Sequence, residues 1–149
     1  MMHLYSLFAA LALWLCAAVA FPDENPDDPV LEGRIKVWLF AYPAYFKGVL
    51  VDAYKDECTS LDNNLIDGQV NSFLVGGPDV ETVMSRTDTW YCVFYDTYDC
   101  SGEDEDMLIS PQGINNLNSV GWASQLHSLM CHVEQLDDDS DGEGDGDYD

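Results

Sequence analysis

The stretches "GQVNSFLV" (68–75) and "SQLHSLMC" (124–131) are two versions of one pattern: a Gln, an apolar residue, a polar residue, a Ser and an apolar run. What precedes them repeats as well, since "FAYPAYFKG" (40–48) aligns with "YDTYDCSG" (95–102) and "CTSL" (58–61) with "INNL" (114–117). Two ordered copies of a four-stranded unit, each of about forty-five residues, are the simplest account of such a period. A unit of this kind exposes one apolar sheet face when alone. The two must therefore bury those faces against each other, as an all-β sandwich.

The strand signals fit that plan. "RIKVWLF" (34–40) alternates Ile35, Val37 and Leu39 against Lys36, Trp38 and Phe40, and "VLVDAY", "QVNSFLV", "WYCVFY", "MLI" and "QLHSLMCHV" follow as short strands separated by turn-rich segments. "DECTSLDNN" and "SPQGINNLNSVGW" read as loops, and "VETVMSR" (80–86) is long enough for a single helical turn only. Trp38, Phe40, Tyr91 and Tyr95 sit at strand spacing and are expected in the core or under a hairpin, whereas Tyr42, Tyr45 and Phe46 lie near a proline turn and are expected partly exposed. An immunoglobulin-like sandwich fits less well, because it needs about seven strands without internal duplication.

Residues 1–20 contain no acid, Lys or Arg and end in Ala18-Val19-Ala20, the small-x-small pattern of a signal-peptidase site, so the chain is expected to be secreted. Removal of that segment takes Cys16 with it and leaves Cys58, Cys92, Cys100 and Cys131, an even number that implies two disulfides in an oxidising compartment. Of the three possible connectivities, Cys58–Cys92 with Cys100–Cys131 is favoured, because the first bridge would fasten one unit to the other. Residues 21–33, with three prolines, are expected to be an extended acidic leader that feeds the 34–133 domain without joining it.

The balance of 5 basic against 28 acidic residues, a net charge of −23, repels phosphate backbones and anionic membranes, which excludes nucleic acid as a partner. The expected partner is an extracellular protein or cell-surface target of basic character. Residues 134–149 form an acidic tail in which Gly alternates with Asp or Glu, a composition that cannot bury enough surface to order itself.

The two units resemble the βγ-crystallin-like Greek-key motif, especially in the small secreted, disulfide-containing members found in fungi. That motif has an aromatic at the end of its first strand, an aromatic or Cys five residues on and a Gly two residues later, matched here by Tyr95, Cys100 and Gly102 and, with one extra residue, by Phe40, Phe46 and Gly48. Its fourth strand carries a serine that ties the folded hairpin, here Ser72 and Ser128. The resemblance implies a two-motif Greek-key β-sandwich over about residues 34–133 and a non-enzymatic scaffold or interaction protein, of effector or toxin-like type.

It also implies two alternatives. One branch of the fold inhibits secreted proteases, and the segment between the units, "GGPDVETVMSRTDT", offers Arg86 to a protease pocket. Many members bind calcium through a paired element of the form [ND][ND]-x-x-[ST]-S, matched by residues 67–72 and 123–128, with Asp67, Ser72 and Ser128 as the weak candidate ligands. Gly68 and Asn71 replace ligands in the first copy, and the second has lost both acids and carries His127, so structural turns rather than high-affinity calcium sites are expected and no cofactor is implied.

Catalytic chemistry finds little support. His127 and His132 fall five apart in one expected strand and so on opposite faces, G-x-S-x-G is absent, and Ser85, Ser110 and Ser119 have no evident base. The acids Glu103, Asp104, Glu105 and Asp106 could mimic a glycosidase pair, but a contiguous run is expected to be a solvated loop. Deleting residues 137–149 should leave the melting temperature unchanged within error while weakening any binding to a basic partner in a salt-sensitive way. A fall of more than a few degrees would place the tail on the sandwich.

Overall fold

The computed structural model describes residues 25–135. The signal-peptide expectation, the first residues of the leader and nearly all of the acidic tail lie outside that span. Among the described residues, nine strands form two antiparallel sheets. Unit one supplies β2 (Arg34–Tyr42), β3 (Phe46–Tyr54), β4 (Cys58–Ser60) and β5 (Ser72–Val75), and unit two supplies β6 (Trp90–Tyr95), β7 (Met107–Ser110), β8 (Gly113–Ile114) and β9 (Ser128–Val133).

In one sheet β3 and β5 flank β2, and β8 of the other unit pairs with β5; in the second, β7 and β9 flank β6, and β4 pairs with β9. Each unit thus lays its fourth strand beside its first, the Greek-key connection, and donates its third strand to the other unit's sheet. This is the two-motif sandwich the sequence leads one to expect. The donated strands are short, at three and two residues, and both fall in segments that read as loops.

Inward residues of the two sheets, among them Ile35, Val37, Leu39, Val51, Phe73, Val75, Cys92, Phe94, Leu129 and Cys131, make one continuous core. Phe73 and Phe94, from the two different units, touch at its centre with ring centroids 4.2 Å apart. On the outer face of the first sheet a smaller cluster of Phe40, Leu74 and Val83 is covered by helix α1 (Val80–Met84), whose N-cap Asp79 accepts a hydrogen bond from Thr82 N at 2.8 Å.

The leader departs from expectation. It supplies β1 (Val30–Leu31), which pairs with the start of β2, and Arg34 Nη2 donates to the carbonyls of Pro26 and Asp28. A proline-rich segment still presents backbone acceptors, and Arg34 and Lys36 on β2 are close enough to use them. β3 is the long edge of its sheet, nine residues paired to β2 alone, with Phe46, Leu50 and Tyr54 exposed at 65%, 47% and 53% along its outer face.

Phe94→Ala should destabilise the fold by about 3–5 kcal/mol, because the truncated ring leaves a cavity shared by both sheets. Urea unfolding followed by tryptophan fluorescence would measure it, and a loss under about 1 kcal/mol would mean that the sheets close over the gap.

Candidate functional site

In each unit a serine on the fourth strand reaches the hairpin between the first two strands. Ser72 Oγ donates to Tyr42 O at 2.7 Å and accepts from Tyr45 N at 3.2 Å; Ser128 Oγ donates to Thr97 O at 2.7 Å and accepts from Cys100 N at 3.1 Å. Both serines are fully buried. Tyr45 and Cys100 occupy corresponding places, each five residues after the aromatic that ends the first strand, and both hold positive φ, at 62° and 53°.

This corrects the assignment of Phe46 to the motif. Tyr45 stands there with no extra residue, packed edge-on against Phe40 at 5.6 Å, while Phe46 is mostly exposed and leans on Tyr42. Gly48 lies under the Phe40 ring, where a Cβ would come within 2.6 Å of Cε1, and Gly102 backs onto Asp106 and Tyr95. The collision, not the backbone angle, requires glycine at position 48.

The disulfides are Cys58–Cys100 and Cys92–Cys131, not the favoured pairing. The strand exchange explains the correction. Because β4 lies in the second unit's sheet, Cys58 sits beside that unit's hairpin, while Cys92 and Cys131 face each other across β6 and β9 inside the core.

Where the two calcium-like segments meet, Asp67 of the first faces His127 of the second. His127 Nδ1 lies 2.6 Å from Asp67 Oδ1, Tyr98 OH donates to Asp67 Oδ2 at 2.8 Å, and the Tyr98 ring lies against the imidazole with centroids 4.7 Å apart. Partial burial pushes the Asp67 carboxyl up, but the hydrogen bonds from His127 and Tyr98, the His127 charge and the Gly68 N–H outweigh it, so Asp67 titrates below the ordinary range. In turn the hydrogen bond to Asp67 raises Tyr98.

A second pair repeats the arrangement. His132 Nδ1 lies 2.7 Å from Asp56 Oδ1, with the Tyr91 ring 5.3 Å from the imidazole. His127 precedes β9 and His132 lies within it, and each joins unit two to a loop of unit one. The separations of 60 and 76 residues hide both pairs from any local pattern.

Arg86 is not offered to solvent. Its side chain is 9% exposed; Nε and Nη2 engage Asp88, Nη1 donates to Val75 O and Pro111 O, and Nη2 also donates to Trp90 O at 3.1 Å. It is a strut between the sheets and cannot enter a protease pocket from this position. Among the described residues, no group of three or more His, Cys, Asp or Glu is gathered as a metal site needs.

No protein-family model matches the chain, and no curated protein does. A solved structure presented under "Evolution of the eye lens beta-gamma-crystallin domain fold" aligns with a TM-score of 0.49 and 7% identity, covering 69% of this chain and 90% of that one. The fold assignment rests on the strand pairing of this chain.

Because the folded pKa of Asp67 is lowered, its stabilising contribution is present above the unfolded carboxyl pKa of about 3.9 and is lost as pH falls through the folded value. Asp67→Asn should therefore cost stability at pH 6 and progressively less below pH 4. NMR titration of the Asp67 carboxyl in the His127→Ala variant should show its pKa moving back toward the ordinary value; an unmoved pKa would mean that His127 does not set it.

Proposed function

We propose that the protein is a secreted, non-enzymatic interaction module, a cross-linked β-sandwich that works through its surface. One observation carries this. The side chains suited to chemistry are engaged in structural contacts: Asp67 with His127 and Tyr98, Asp56 with His132 and Cys58 with Cys100 join the units, Arg86 is held by Asp88 and three carbonyls, and Cys92–Cys131 lies within unit two. The two disulfides and the Ala18-Val19-Ala20 segment support an extracellular setting.

The surface offers two kinds of contact. The net charge of −23 favours a basic extracellular or cell-surface partner. The β2–β3 hairpin offers Tyr42, Phe46, Leu50 and Tyr54 as exposed apolar side chains, residue types that anchor protein interfaces when buried by a partner.

Two measurements test the proposal. Across peptide, ester and glycoside substrates the protein should give no turnover above buffer, and turnover that His127→Ala abolishes would overturn the non-enzymatic assignment. Millimolar calcium should shift the melting temperature by a degree or two at most, since Asp67 is already held by His127 and Tyr98, against about 2.7 kcal/mol of stabilisation for a ligand at one hundred times its Kd. A large shift lost in Asp67→Ala would make the protein a calcium module instead.

A further inference from the structure

The two disulfides occupy opposite environments. Cys92 and Cys131 are both fully buried between the sheets, whereas Cys58 is exposed on the short edge strand β4 and Cys100 is half-buried in the hairpin that follows β6. Thiol–disulfide exchange requires in-line approach of a thiolate to a sulfur, so access separates the two bonds before intrinsic reactivity does.

We propose that Cys58–Cys100 is a reducible clasp, opened by a thiol while Cys92–Cys131 stays closed, and that opening it frees the 96–106 hairpin from the sandwich. A thiolate attacks Sγ of the exposed Cys58, forming a mixed disulfide and expelling Cys100 as a thiolate. A second thiolate displaces Cys58. Two thiols are oxidised to one disulfide, two electrons reduce the protein bond, and the two cysteine thiolates take up protons from solvent.

Three features of the hairpin give this step a structural consequence. Cys100 is held at φ 53°, a conformation unfavourable for a residue with a Cβ, with its N–H donating to the Ser128 hydroxyl and its sulfur tied to β4. The hairpin lies over Tyr95, which is only 7% exposed although it faces outward from its sheet. It also carries Tyr98, whose hydroxyl holds Asp67 of the other unit at 2.8 Å. Opening the clasp therefore uncovers an aromatic face and loosens one of the contacts between units.

Charge selects the reductant. The exposed acids Asp56 and Glu57 precede Cys58, and Asp99 precedes Cys100, in a chain of net charge −23. An anionic thiol is repelled and a cationic one attracted.

The test is reduction of the oxidised protein without denaturant, by cysteamine or by glutathione, followed by alkylation and mass mapping of each cysteine. Cys58 and Cys100 should be labelled while Cys92 and Cys131 remain protected, and amide exchange should accelerate across 96–106 but not in β6 or β9. Cysteamine should act about tenfold faster than glutathione at equal thiolate concentration and low salt, and the gap should close in high salt. The Cys58→Ser/Cys100→Ser variant should show the fast-exchanging hairpin with no reductant present. Labelling of Cys92 or Cys131 at the same rate as Cys58, or a hairpin equally protected after reduction, would overturn the proposal.

Discussion

Neither unit owns a complete sheet. Because β4 and β8 cross over, each sheet takes three main strands from one half of the chain and an edge from the other, and the faces that would be exposed in an isolated unit become the core. The contacts that look independent follow from this exchange. Phe73 meets Phe94 because the fourth strand of one unit and the first of the next face each other across the core. Cys58 reaches Cys100 because β4 lies beside β9. The His–Asp pairs form because the loops around the exchanged strand β4 carry Asp56 and Asp67 to the two ends of β9.

The exchange also explains where the sequence was legible. Long strands carry enough alternating residues to show their period, and the serine-plus-apolar pattern of β5 and β9 announced the duplication. Strands of two and three residues have no period to show, so β4 and β8 were hidden in segments rich in Asn, Asp and Ser. The disulfide pairing followed from the same blindness: with Cys58 left inside unit one, its neighbour could not be identified.

Site residues divide along the same line. Gly48, Ser72 and Ser128 answer to contacts within one unit, and spacing along the chain could point to them. Arg86 could not be placed that way, because exposure depends on what Val75, Pro111 and Trp90 bring around it. An arginine in a long inter-unit segment looks available until three carbonyls converge on its guanidinium. The offset between Phe46 and Tyr45 has a smaller cause. Tyr45 and Phe46 are adjacent aromatics, and what tells them apart is tertiary: the hydrogen bond from Tyr45 N to Ser72 and the packing of the Tyr45 ring on Phe40.

The free edge of β3 has a consequence for how copies of this protein behave when crowded. A nine-residue edge with apolar outward side chains is a template on which another strand can grow, and most sheets shorten, kink or cover such an edge. Here the protection is electrostatic. Lys47 stands near one end of the strand and Lys55 just past the other, and the acid between them, Asp52, is bound by Arg34 at 2.9 Å on its own sheet. An antiparallel copy centred on Val51 would set each Lys47 against the other's Lys55. Like charges set opposite each other in this way disfavour pairing of the edge with its own copy, in a chain that has 5 basic residues in all.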